Sequence, residues 1–130
     1  MSGTFPLGSI VAVAVGAALG GCLRWQIGES LNTRWAVLPL GTLLVNCLGG
    51  LLIGAAMATF QRWPSDMARL FFVTGVLGGM TTFSSFSAES LGLLQRGEWA
   101  VAALHSAAHV VGALSCAAIG YWLLRALLRG

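Results

Sequence analysis

The sequence predicts an all-α integral membrane protein with a single domain, residues 1–130, of four transmembrane helices. Its 130 residues are 57% hydrophobic and 8% charged, and the mean hydropathy is +0.84. Soluble domains average about 25% charged residues, so this chain has too few charges to cover a water-facing surface. A soluble enzyme and a nucleic-acid-binding protein are therefore not expected. All five tryptophans lie near the ends of long uncharged stretches, where indole rings favour the membrane interface.

The four predicted spans cover about residues 7–27, 36–60, 69–90 and 99–125, and each can supply the roughly 20 helical residues that cross a bilayer. The arginines are divided almost evenly between the two sides of the membrane. The side of the N-terminus carries Arg62, Arg69, Arg125 and Arg129, and the other side carries Arg34, Arg96 and Arg24. This weak bias fits insertion with the N-terminus inside, or dual topology in which oppositely inserted copies pair antiparallel.

Glycine is abundant, with 18 residues, and it recurs at helical spacing. The first span contains Gly16 and Gly20, and the second is striped by Gly41, Gly49, Gly50 and Gly54. Small residues let helices approach closely in lipid. We expect these glycines to pack helices within the chain, and oligomerisation is a reasonable addition for a bundle this small.

The third span has an unusual middle for a membrane helix. Three glycines, Gly75, Gly78 and Gly79, are followed by five hydroxyl side chains, Thr81, Thr82, Ser84, Ser85 and Ser87. Glycine beside β-branched threonine disfavours a helix, so a break is predicted near the middle of the span. Such a break frees backbone groups, which can bind a cation through carbonyls or an anion through helix ends.

Further polar or aromatic pairs lie one helical turn apart. Phe83 and Phe86 share a face, and the positive edge of a phenyl ring can face a small anion. Thr42 and Asn46 share a face of the second span, where Asn46 serves either an interhelical bond or a transport path. His105 and His109, in the fourth span, are expected to form hydrogen bonds within the bundle rather than to bind a metal.

Three motifs in order along the chain resemble the CrcB/Fluc fluoride channels. They are GVLGGMTTFSSFS at residues 75–87, GGCLR at 20–24 and GTLLVN at 41–46. The length and the four-span layout match across the whole chain.

The resemblance implies an antiparallel homodimer in a cell inner or plasma membrane that exports fluoride passively. It also implies a structural Na⁺ at the dimer interface, held by the backbone carbonyls of Gly78 and Thr81. Phe83, Phe86 and Asn46 match the fluoride pathway, and Arg24 matches a residue near an aqueous vestibule. The pathway's polar positions correspond to Thr42, Ser84, Ser87 and Glu89.

A small multidrug-type, proton-coupled exporter is the alternative, because such transporters are also four-span and often have dual topology. That chemistry requires a carboxylate in the first span, where the nearest acid is Glu29, beyond Arg24. A structural subunit without transport activity is a third possibility. The chain has no GxxxxGK[ST] loop, so ATP-driven transport is not expected.

Overall fold

The structure, a computed structural model, describes residues 6–32 and 39–129, which form helices joined by short turns. Helix α1 covers Leu7–Asn32 and α2 covers Leu40–Arg62. Helix α3 runs without interruption through Asp66–Arg69, a π-helical segment Leu70–Leu77, and Gly78–Met80. After the break come α4, Phe83–Gln95, and α5, Trp99–Leu127.

The prediction of four membrane-spanning helices is confirmed, since four helical stretches are long and apolar enough to cross a bilayer. Several helix ends lie two to five residues beyond the predicted spans: α1 ends at Asn32, and the third span runs over Asp66–Gln95. Hydropathy marks the apolar stretch, whereas a helix continues past it until a cap or turn ends it. Arg34 and the first predicted residues of the second span, 36–38, lie outside the described residues.

The predicted break near the middle of the third span is confirmed, and it lies at the two threonines that follow the glycines. Gly75, Gly78 and Gly79 all remain helical. The helix ends at Met80, and Thr81 and Thr82 are extended, with φ/ψ of −80°/155° and −150°/116°. Thr82 caps α4, because its Oγ1 accepts a hydrogen bond of 3.1 Å from the Ser85 N–H.

Glycines bring α1 and α3 into backbone contact, which explains why the glycine-rich part of α3 stays helical. A Cβ on Gly16 would overlap the Phe71 carbonyl oxygen, and one on Gly79 would overlap that of Ala17. Gly50 and Gly54 bring α2 against the backbone of α5 in the same way. The expectation that these glycines pack helices within the chain is confirmed.

A small cluster of buried apolar side chains lies where α2 meets the end of α3. It consists of Val45, Leu77 and Met80, with Ile27 and Ile53 packed against it. Gly49 also faces this region, and a Cβ there would overlap the Thr81 side-chain methyl. The absence of a side chain at residue 49 therefore makes room for the break.

Adjacent glycines in α1 provide a test of this packing. A methyl group at residue 20 would overlap the Val76 carbonyl oxygen, whereas a methyl group at residue 21 would meet nothing within 4 Å. We expect Gly20→Ala to lower the free energy of unfolding by about 1–3 kcal/mol through overpacking. Gly21→Ala should leave it unchanged or raise it by up to about 1 kcal/mol, since alanine favours a helix. Thermal unfolding in detergent measures both variants, and equal effects would contradict the backbone contact.

Candidate functional site

The side chain of Asn46 holds the break between α3 and α4. Its Oδ1 accepts a hydrogen bond of 2.9 Å from the Thr82 N–H, and its Nδ2 donates one of 3.1 Å to the Thr82 carbonyl oxygen. The same Nδ2 lies 3.1 Å from His109 Nδ1 and donates to it. Asn46 therefore satisfies both backbone polar groups of an extended residue inside the membrane, which water would otherwise have to do.

These bonds release two carbonyl oxygens at the end of α3. In a continuous helix, the Thr82 N–H would donate to Gly78 O, and the Ser85 N–H would donate to Thr81 O. Here the first N–H donates to Asn46 Oδ1 and the second to Thr82 Oγ1. Gly78 and Thr81, which the resemblance assigns to a cation, have thus lost their usual helical donors.

Arg24 lies against the break rather than at a helix end. Its Nε donates a hydrogen bond of 3.2 Å to the Gly79 carbonyl oxygen, which joins α1 to the final turn of α3. Arg24 also lines a surface pocket with Trp25, Glu29 and Ser85. The guanidinium therefore supplies positive charge at the last turn of α3 and lines an open recess at the same time.

A chain of polar contacts connects α2, α4 and α5. Thr42 Oγ1 donates to Glu89 Oε1 at 2.5 Å, and the other carboxylate oxygen, Oε2, lies 3.2 Å from His105 Nε2. His105 Nδ1 lies 3.1 Å from Ser90 Oγ. His105 is 3% exposed and Glu89 is 20% exposed, so a mostly buried carboxylate has a partner on each oxygen, as burial of a charge requires.

Aromatic rings extend this chain towards the surface of the subunit. The Phe86 ring stacks on His105 with centroids 5.5 Å apart, and its centroid lies 4.8 Å from that of His109. Phe83 follows at 5.4 Å from Phe86 and is 77% exposed. The two phenylalanines thus form a step from the buried histidines to the outer face of α4.

An open groove of about 590 Å³ runs along this face. It is lined by both phenylalanines, Asn46 and His109, and one wall is the end of α3, with Gly78 and Thr81. The break, the aromatic pair and the freed carbonyls therefore share one surface.

Two of the predicted pathway residues stand apart from the buried contacts. Ser87 is exposed, and its hydroxyl donates at 2.8 Å to the Phe83 carbonyl oxygen one turn earlier. Ser84 is exposed as well, with its Oγ 3.2 Å from Thr82 Oγ1. The structure brings together Thr42, Asn46, Phe86 and Glu89, while Ser84 and Ser87 lie along the outer side of α4.

The sequence did not reveal that Thr82 has a central role at the break, nor that Ser90 contacts His105. Thr82 and Ser85 lie three residues apart after a glycine-rich segment, which is a helix N-cap pattern and could have located the break. The expectation that His105 and His109 form hydrogen bonds within the bundle is confirmed. Nothing in the sequence pattern indicated that both would meet Phe86.

A four-span bundle with a broken helix and an open groove at the break defines a membrane protein of the channel and transporter class. Comparison with known proteins identifies its family. A family model described as CrcB-like protein, Camphor Resistance (CrcB), matches residues 11–121. The chain belongs to this family.

Close relatives share most of the chain. A protein of Aromatoleum aromaticum named fluoride-specific ion channel FluC is 51% identical over 123 residues, which cover 93% of this chain and 94% of that protein. Proteins with the same name occur in Bordetella petrii, 51% identical over 116 residues (86% and 88% covered), and in Thiobacillus denitrificans, 44% identical over 121 residues (92% and 98% covered).

Removal of the Asn46 side chain tests its role at the break. Asn46→Ala leaves the buried N–H and carbonyl of Thr82 without these partners, and we expect the free energy of unfolding to fall by about 1–3 kcal/mol. Thr59→Ala is the control, because the Thr59 hydroxyl only bonds back to Ala55 O within α2. Thermal unfolding in detergent compares the two variants. A loss for Asn46→Ala no larger than that for the control would refute this role.

Proposed function

We propose that this protein is a fluoride-selective ion channel that exports fluoride passively from the cell. The observation that carries the proposal is the break itself, with freed carbonyls and a Phe83–Phe86 pair on one groove. The names of the relatives, fluoride-specific ion channel FluC, agree with this proposal. Passive export suffices, because a negative cell interior drives an anion outward by about 2.3 kcal/mol per charge per 100 mV. The membrane is then the plasma membrane, the inner one in a cell with two.

Fluoride holds its water strongly, so a pathway must replace that water with weak but sufficient contacts. The positive edges of Phe83 and Phe86 provide such contacts without trapping the ion. The hydroxyl of Ser84, on the outer side of α4, adds a hydrogen-bond donor. Those of Ser87 and Thr42 add theirs when they turn away from the Phe83 carbonyl and the Glu89 carboxylate. In this proposal Asn46 and Glu89 hold the path's buried wall, and the Arg24 recess is the aqueous entrance.

Fluoride efflux from proteoliposomes tests the function. Fluoride is expected to leave loaded vesicles when the membrane potential that opposes its efflux is dissipated. Chloride should be retained under the same conditions. Phe83→Ile and Phe86→Ile should each depress efflux at least about tenfold, since ring edges are lost from the path. Phe72→Ile is the matched control, because that ring is 53% exposed on α3 and contacts Phe71.

Unchanged fluoride efflux in both pathway variants would reject these rings as the path. Absence of efflux from the unaltered protein, with intact vesicles, would reject the channel itself.

We also propose that two copies pair antiparallel across the groove. A groove that exposes Phe83 and the apolar side of α3 to lipid would leave polar carbonyls facing hydrocarbon, which is unfavourable. A second copy seated there would cover them. The nearly balanced arginines support insertion in both directions.

Pairing would also complete a site for Na⁺. The carbonyl oxygens of Gly78 and Thr81 are hard neutral ligands, and their helical donors are engaged by side chains. Unwound carbonyls of this kind bind Na⁺ in other membrane proteins, so these residues fit the ion. Two carbonyls from each copy would hold it at the interface, where it stabilises the pair and adds fixed positive charge.

Cross-linking distinguishes antiparallel from parallel pairs. In a cysteine-free background, Trp63→Cys and Arg96→Cys mark opposite ends of the bundle, and both side chains are exposed. A bifunctional maleimide applied to a mixture of the two single-cysteine chains should join residue 63 of one copy to residue 96 of the other. Products that join only like positions would show parallel pairs.

A further inference from the structure

Glu89, His105 and His109 form a compact cluster within the membrane-spanning part of the bundle. One carboxylate oxygen and one ring nitrogen from each histidine all lie within 4.8 Å of one another. The rings of the two histidines are 4.5 Å apart between centroids, and the two side chains are 3% and 5% exposed. The cluster thus places three ligand atoms around a single point.

One histidine of the cluster has a ring nitrogen without a partner. His109 Nε2 is buried and has no hydrogen-bond partner among the described residues. Its other ring nitrogen, Nδ1, is engaged by the Asn46 amide. A buried ring nitrogen without a partner is destabilising unless a ligand satisfies it, so this atom indicates that the site can accept one.

The other two ligands, Glu89 and His105, already have outer hydrogen-bond partners. Thr42 donates to Glu89 Oε1, which leaves Oε2 for the cluster. Ser90 Oγ lies at His105 Nδ1, and a hydroxyl can turn to accept a proton from that nitrogen when Nε2 binds a metal. Metal-binding side chains in proteins characteristically have such outer hydrogen bonds.

We propose that Glu89, His105 and His109 bind a divalent transition metal ion, with Zn²⁺ as the reference case. Two imidazoles and one carboxylate are a common ligand set for zinc, and three protein ligands leave the fourth position open. The site is distinct from the Na⁺ site, which uses backbone carbonyls of α3. Small movements of the side chains close the 4.8 Å spread to metal-binding distances.

Binding is coupled to the break through His109. When Nε2 binds a metal, the ring proton moves to Nδ1, which can no longer accept from Asn46. The amide must then turn away or reverse, and reversal would point its Nδ2 at the Thr82 N–H. The metal therefore competes with the contacts between Asn46 and Thr82, so binding is reversible rather than permanent.

Inhibition of transport follows from this coupling and rests on the proposed function. A divalent ion beside Phe86 would trap fluoride, and it would disturb the backbone at the break. We therefore expect Zn²⁺ to inhibit fluoride efflux and a chelator to restore it.

Metal binding is measured first, independently of transport. Tag-free protein stripped with a chelator is titrated with Co²⁺ in detergent, and visible absorption bands typical of nitrogen and oxygen ligands should appear and vanish on addition of Zn²⁺. His109→Ser and His105→Gln should each weaken Zn²⁺ binding by about tenfold or more. Glu98→Gln is the matched control, because that carboxylate pairs with Arg96 outside the cluster.

The thiols of Cys47 and Cys116 contact each other and are the rival ligands. Intense near-ultraviolet bands typical of thiolate ligands, lost in Cys47→Ala and retained in His109→Ser, would overturn the proposal. An absence of visible bands in the unaltered protein would do the same.

Efflux is measured second. Zn²⁺ inhibition in unaltered protein, abolished by chelator, supports the coupling. Binding without inhibition overturns the coupling and leaves the metal site, whereas a protein that binds metal and never conducts fluoride contradicts only the proposed function.

Discussion

The break in the third span depends on the acceptor to which one backbone N–H group donates its hydrogen bond. The Thr82 N–H donates to Asn46 Oδ1 instead of to Gly78 O, and the helix stops there. An unpaired N–H inside a bilayer costs several kcal/mol, so the break exists only because a side chain on another helix receives it. Asn46 in turn can reach Thr82 because Gly49, one turn along α2, leaves space for Thr81.

That dependence links packing to chemistry. Lipid provides no hydrophobic force that drives helices together, so close contact has to come from small residues. Gly16 and Gly79 hold α1 against α3, and Gly50 and Gly54 hold α2 against α5. The same rigid contacts fix the end of α3 relative to α2 and α5. The polar groups at the break are therefore held in place by helix–helix contacts that glycines make through their backbone.

Much of this could be predicted from the sequence, because the signals are local. Hydropathy located the four spans, and the glycine and hydroxyl pattern placed a break in the third. The break lies near the middle of the span, as predicted, although the glycines beside it stay helical because they pack against α1. Gly75 and Gly79 are helical since a neighbouring backbone fills the space beside them.

The candidate site, too, could be predicted from local sequence signals only in part. Phe83 and Phe86 could be paired from their spacing, and the Asn46 side chain could be singled out as a polar group deep in a span. The contact of Glu89 with both Thr42 and His105 could not, because it joins residues 16 and 47 positions apart and depends on how three helices are rotated. Helical spacing defines a face, but only tertiary packing decides which faces meet.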